Sequence, residues 1–354
     1  MTYKSGIKHG FMYLLLIVLL GSCNKIEIVQ SYNDLHNKIE YDLEYDTILY
    51  KNEMTIVLNP YKSKGKLTLK GAMHTHTDNS VNVDSYGSGE PKWVAEKLRD
   101  EGNYDFYAFT DHNYVTSNPE VEGIVWMGYA VEDTKISQHI CAYNLPFNEF
   151  HDKGNYIQDI LDYYHSINAF TCLSHPNNPK TYITEEILAG IDNLTFIEVM
   201  NYGDLQNFRC LDILRTANVR TLALGVDDFH YNESLEDPNM FFNKSWINVF
   251  ADYKEKDNIW KAILKGAFYV TNGPEINISF NNGLFEIYTP QLSDIIFIWY
   301  NNIEEKIDTI EYSDVFKASY SWENEIKWVR AKVSNNKGIA YTQYIQEVNK
   351  IIFE

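Results

Sequence analysis

The first apolar stretch of the chain has no period. Residues 11–20 (FMYLLLIVLL) run without a polar position, and Lys4 and Lys8 precede them. At about 1.5 Å of rise per residue, a helix of that length covers roughly half of a ~30 Å hydrocarbon core. It is too short to span and suits the centre of an export signal over residues 1–22. Residues 23–65 are polar and end in Asn59-Pro60 and Lys62-Ser63-Lys64-Gly65, which predicts a tether. From Lys66 a new pattern begins. Short apolar or alternating runs at 66–70, 104–110, 169–173, 195–200 and 220–226 predict strands. Segments at 91–101, 156–167, 185–189, 211–217 and 259–264 carry helical spacing. Strands that alternate with helices imply βα units around a parallel sheet, and this many repeats imply closure into a barrel. Beyond Thr271-Asn272-Gly273-Pro274 the pattern is strand and turn alone, at 276–280, 295–300 and 328–333, which predicts a small β-sandwich over 274–354.

Composition narrows the function. The chain has 354 residues, 45% apolar and 22% charged, as a folded protein does. Its formal charge is 30 − 49 = −19, which repels long polyanions and argues against binding long nucleic acid. A small anion remains acceptable, because a metal site reverses the local field. The junction Leu20-Gly21-Ser22-Cys23 resembles the lipobox of bacterial lipoproteins, which implies cleavage before a lipidated Cys23. An ordinary signal peptide is the alternative. Export and a lipid anchor facing the periplasm or cell surface are the expected location, with the anchor as the only membrane contact. Cys141, Cys172 and Cys210 show no C-x-x-C spacing and read as buried free thiols, though one disulfide is possible.

The histidines carry the chemistry. His74 and His76 are spaced to face the same side of an extended segment after the strand at 66–70, so both rings can grip one ion. His112 follows the strand at 104–110, His175 follows that at 169–173, and Asp228 and His230 follow that at 220–226. Glu198 lies inside the strand TFIEVM. In a βα barrel these strand ends open on one face, so ligands distant in sequence converge. Imidazole and carboxylate without thiolate suit Zn, Mn or Fe. One histidine at a strand end is ordinarily polar surface. Six of the ten (His74, His76, His112, His139, His175 and His230) fall on motif positions, while His36, His151 and His165 fit none.

Five elements in order, Met73-His74-Thr75-His76-Thr77, Phe109-Thr110-Asp111-His112-Asn113, Ser174-His175-Pro176, Ile197-Glu198-Val199-Met200-Asn201 and Gly225-Val226-Asp227-Asp228-Phe229-His230, resemble the polymerase and histidinol phosphatase (PHP) superfamily of metal-dependent phosphoesterases. The resemblance covers residues 66–273. It implies an α/β fold, a distorted (β/α)7 TIM-like barrel around two or three divalent ions. It also implies hydrolysis of a small phosphate ester by a metal-bridging hydroxide. Carried over, His74, His76 and Asp228 hold one ion. Glu132 bridges to a second held by His139 and His175, and His112 and His230 hold a third. The family's ligand five residues after the second histidine is replaced by Val81. Asp84 is the expected substitute, with Asp78 the alternative. For the bridging position Glu122 and Asp133 are alternatives to Glu132.

Asp111, Asp227 and Glu198 are candidates to orient ligand imidazoles. Asp228, His230, Glu198 and Asp111 form the expected catalytic set. Lys135, Lys180 and Arg209 are candidate phosphate-binding cations, Arg209 and Lys180 foremost. Two other readings stay open. One is a different metal-dependent hydrolase acting on a cyclic phosphodiester, amide or lactone. The other is a non-catalytic surface lipoprotein that retains metal.

Overall fold

The structure, a computed structural model, describes residues 28–29, 43–50, 53–80, 89–146, 156–178, 183–205, 208–216, 220–231, 237, 240–323 and 325–352. The export-signal segment, Cys23, Asp84 and Lys180 lie outside them. Among the described residues no helix is long and apolar enough to cross a membrane.

The first half of the chain forms β1 (Ile28–Val29), β2 (Tyr45–Tyr50), β3 (Glu53–Leu58), β4 (Leu67–Ala72), α1 (Pro91–Asp100), β5 (Phe106–Tyr107), β6 (Val125–Trp126), β7 (Tyr129–Asp133), β8 (Ile140–Leu145), α2 (Ile157–Ser166) and β9 (Phe170–Leu173). Then come α3 (Glu185–Ala189), β10 (Phe196–Asn201), β11 (Asp204–Leu205), α4 (Phe208–Thr216), β12 (Leu222–Val226), β13 (Trp246–Ala251), α5 (Lys256–Lys265) and β14 (Phe268–Thr271). The chain finishes with β15 (Asn277–Asn281), β16 (Leu284–Asn301), β17 (Lys306–Ser321), β18 (Ile326–Asn335), β19 (Gly338–Thr342) and β20 (Ile345–Ile352).

Two sheets result. One has 14 strands, with the path β2-β3-β20-β18-β19-β14-β13-β4-β5-β6; β1 joins β20, and β15 and β17 join β16, which pairs with β18. The other has six, β11-β10-β9-β8-β7 with β12 on β10. This is a mixed α/β molecule, but the expected seven-unit barrel is corrected. Five helices are present among the described residues and no barrel closes. Among the described strands, parallel ladders are confined to β4-β5-β6 and to β9-β10-β12. Antiparallel neighbours interrupt the parallel order, β7-β8-β9 on one side and β4-β13-β14 on the other. A hairpin needs no crossover helix, so the chain has fewer helices than a barrel demands.

The two sheets touch through isolated parallel bridges, Thr75 to Phe229 and His112 to Glu132. Gly225 on β12 permits a close approach to β13 and β14 of the larger sheet. A Cβ there would fall 2.4 Å from Val270 Cγ1 and 3.0 Å from the Trp246 carbonyl. Gly225→Ala is therefore expected to lower stability by roughly 1–3 kcal/mol through overpacking. An unchanged denaturation midpoint would show that β12 has room to move.

Strand pairings cross both boundaries expected from the sequence, at 65 and at 273. β2 and β3, within the expected tether, form a hairpin that pairs with β20. The boundary at 273 does not break the sheet, because β14 pairs with both β13 and β19. A second core of Ile278, Phe285, Phe297 and Val333 takes in Val57 from β3 and Phe250 from β13. These pairings bury the apolar faces of the terminal strands against one another, which short polar stretches in sequence do not reveal. Cys141, Cys172 and Cys210 are buried free thiols.

Candidate metal centre

The bridges that join the sheets also assemble the site. Thr75 lies between His74 and His76, and Phe229 between Asp228 and His230, so one bridge brings four donors together. The other places His112 beside Glu132. His76 donates its backbone N–H to Phe229 O at 3.0 Å, and Phe229 N–H returns to His74 O at 3.3 Å. Two of the donors sit on strained backbone. Asp228 has φ 50° and His175 φ 29°, both in the left-handed region that non-glycine residues rarely adopt.

The donor atoms converge. His74 Nε2 lies 3.0 Å from His76 Nε2. Asp228 Oδ1 lies 3.2 Å from the first and 3.1 Å from the second. Glu132 Oε2 is 3.5 Å from His74 Nε2, 3.6 Å from His76 Nε2 and 2.8 Å from His112 Nε2. Its other oxygen, Oε1, is 3.1 Å from His139 Nδ1 and 3.2 Å from His175 Nε2. His112, His76 and His230 form a further group of close donors. The His76 and His230 rings stack at 4.2 Å.

This set fits divalent cations. Donors about 2.1 Å from a common ion stand roughly 3.0–3.4 Å apart at octahedral to tetrahedral angles. The separations among His74, His76 and Asp228 match that range, and those to Glu132 lie close to it. Glu132 Oε2 is fully buried yet has no well-aligned hydrogen bond among the described residues. A buried carboxylate oxygen in that condition is costly unless a cation completes it.

Electrostatics agree. Burial opposes the charge on Glu132 and Asp228, but the imidazoles around them hold both carboxyls well below the usual range. Burial likewise opposes protonation of His74; Cys141, Asp228, Glu132 and Glu198 outweigh it and raise its pKa well above the usual value. His112 is raised against burial by Glu132. His175 is pushed up to about 9, where burial is outweighed first by Glu132 and then by Asp228. His76 and His230 go the other way, lowered by burial; His230 adds to the effect on His76.

A buried floor and a more open rim are evident. The side chains of His74, His76 and Glu132 are 0% exposed, whereas His112, His230, Asp228 and His139 are 14%, 15%, 16% and 25% exposed.

The three supporting carboxylates do different jobs. Glu198 meets His74 Nδ1 at 2.6 Å and accepts from His175 N and Asn201 Nδ2, each at 2.7 Å. A proton held between Nδ1 and Glu198 leaves Nε2 of His74 as a donor to metal. Asp111 makes no hydrogen bond to an imidazole among the described residues. It accepts from Thr77 N at 2.5 Å, Thr77 Oγ1 and Ser80 Oγ at 2.8 Å, and Thr116 Oγ1, so it clamps the turn after His76. Asp227 accepts from Tyr104 OH and from three successive amides, Asn243, Lys244 and Ser245. It anchors the entry to β13 rather than a ligand ring. Glu198→Gln should weaken metal binding about 10- to 100-fold while leaving the fold intact. Unchanged affinity in a metal titration would remove Glu198 from this role.

Several expected residues stand elsewhere. Arg209 is exposed on α4 and pairs with Glu185 at 2.5 Å. Asp78 and Lys135 are exposed, and so is Glu122, whose carbonyl accepts from Arg99. Asp133 is buried and receives Tyr164 OH at 3.3 Å. Other contributors escape the sequence reading. Ser80 Oγ lies 3.4 Å from His76 Nδ1 and accepts from His112 N at 3.1 Å. Asn201 ends β10 three residues after Glu198, a position that the strand-end rule could have found. Cys141 stands opposite both Glu132 and Cys172 in the sheet, with Sγ 3.7 Å from His74 Nδ1.

No family model matches the chain, and no curated protein matches it. Among solved structures, one match is a two-domain protein of Bacteroides vulgatus containing a PHP-like metal-dependent phosphoesterase, so described by inference. It is 17% identical with a TM-score of 0.42, and the match covers 85% of this chain and 99% of that one. Another is a protein of Bifidobacterium adolescentis, described by inference as a metal-dependent phosphoesterase. It is 14% identical with a TM-score of 0.36, over 50% of this chain and 91% of that one. At these scores neither match assigns an activity to this chain.

Proposed function

We propose that the chain is a metal-dependent hydrolase that cleaves a small phosphate ester at the His/Asp/Glu cluster. The observation that carries this reading is Glu132. Its Oε2 faces His74, His76 and His112, and its Oε1 faces His139 and His175. One carboxylate shared by two donor groups suits two neighbouring cations, an arrangement that serves phosphoryl transfer. Divalent ions held there supply positive charge to phosphoryl oxygens and acidify water.

The protein's own groups do the rest. His74, His76, Asp228 and Glu132 form the buried floor, and His139 and His175 complete the second donor group. His230 is fixed through Nδ1 on the Asp228 carbonyl at 2.8 Å, and with His76 and His112 it forms the donor group that would hold a third cation. The open rim of His112, His139, Asp228 and His230 is the entry for substrate. Two or three ions of Zn, Mn or Fe, a lipid anchor at Cys23 and an exported location belong to the same proposal.

The test is release of phosphate or alcohol from a panel of mono- and diesters by the full chain supplied with Zn, Mn or Fe. Turnover at least about 100-fold above the His74→Ala/His76→Ala double variant is expected. A metal-loaded chain that hydrolyses amides or lactones and no phosphate ester would overturn the substrate class.

A further inference from the structure

A cavity of about 690 Å³ lies outside the His cluster, between the β4-β13-β14 face and the β15–β16 hairpin. The register of the sheet builds it. Asn248 on β13 pairs with Lys70 on β4 and with Tyr269 on β14, so the three side chains form one row. Leu69, Ile247 and Val249, the alternate positions on these strands, pack in the first core, which leaves the row on the opposite face. Trp246 stands beside the row, and Glu275 and Tyr288 line the other side of the cavity.

The polar groups of this row bond to one another and keep further hydrogen-bonding capacity. Tyr269 OH accepts from Asn248 Nδ2 at 2.8 Å and from Ile276 N at 3.4 Å. A hydroxyl that accepts twice has its own proton to donate, and no described residue receives it. Asn248 commits its amide NH₂ to Tyr269, so its carbonyl oxygen remains to accept. Lys70 is already placed, with its ammonium 4.0 Å from the Trp246 ring centre, 4.2 Å from that of Tyr104, and bonded to Gly102 O at 2.7 Å. It braces the aromatic wall rather than reaching for an anion.

We propose that this cavity is a binding site for a neutral pyranose, as a mono- or disaccharide. A sugar ring presents an apolar C–H face and a rim of hydroxyls that both donate and accept. The cavity offers the complement: aromatic rings at Trp246 and Tyr288, each with one face met by a lysine ammonium (Lys70 and Lys317), a donor at Tyr269 and acceptors at Asn248 and Glu275. Its volume lies within the range of small-molecule sites. The site is independent of the metal chemistry proposed above.

The test uses the full chain and titration calorimetry with glucose, galactose, mannose, N-acetylglucosamine, cellobiose and lactose. Sorbitol is the control, having hydroxyls but no ring face. At least one ring sugar is expected to bind with a Kd at or below about 5 mM, and sorbitol is not. Tyr269→Phe and Asn248→Ala are each expected to weaken that binding roughly 3- to 10-fold. Metal uptake by the His cluster serves as the control for folding. Chelation of metal should leave sugar binding unchanged. The proposal fails if no sugar saturates, if sorbitol binds equally, or if both variants with intact metal uptake bind as the parent does. It also fails if chelation abolishes binding, which would place the sugar at the metal centre.

Discussion

Glu132→Gln should lower metal affinity by at least about 100-fold and abolish turnover with it. The carboxylate is buried among five imidazoles, and each of its oxygens faces a different group of them. An amide keeps the size of the side chain but carries no charge, and only one of its two ends can donate electrons to a cation. Both donor groups should therefore weaken together. Elemental analysis of protein purified without chelator checks this: the parent should hold two or three equivalents of divalent metal and the variant one or none. A variant that retains the parent's metal content would show that Glu132 is a structural carboxylate, and the two-cation reading would fall.

Acid should weaken metal binding steeply. His74 and His112 are raised above the ordinary histidine value, and His175 is pushed up to about 9. In the metal-free fold His175 therefore holds a proton at pH 7, His74 and His112 hold theirs more tightly than an ordinary imidazole, and a cation must displace them. Each displaced proton lowers apparent affinity about tenfold per pH unit below the pKa of its group. Affinity should thus fall by at least about 100-fold between pH 8 and pH 6, and metal addition at pH 7 should release protons. Glu132 and Asp228 do not oppose this trend, because both are held ionised well below neutrality. Titrations at three pH values with an indicator dye read both quantities. Affinity that is flat with pH would mean that the raised imidazoles are not ligands.

The donor set was legible because it depends on residue type and short spacing. His74 and His76 are adequate as a pair whatever lies around them, and strand ends are recognisable from apolar runs. The hairpin of β7 and β8 was missed because its polar and apolar residues do not alternate cleanly. Glu132 could therefore be placed only by resemblance. Arg209 looked like a phosphate ligand because sequence shows a charge but not its partner; in the fold Glu185 takes it. Asp111 and Asp227 looked like partners of histidine because they adjoin His112 and Asp228. Their side chains instead clamp a turn and a strand entry.

Local chemistry alone thus marks which residues can bind a cation and which segments are strands. Tertiary structure decides which strands become neighbours. The barrel expected from βα alternation gives way to two sheets because antiparallel pairing of β7-β8-β9 and β4-β13-β14 satisfies the same backbone groups without crossover helices. The polar stretch before β4 becomes a hairpin in the large sheet because β20, from the far end of the chain, gives β3 a partner. Backbone hydrogen bonds carry no residue label, so their pairing follows from burial across long separations. Side-chain donors do carry one, which is why candidate metal donors could be named before the fold that brings them together.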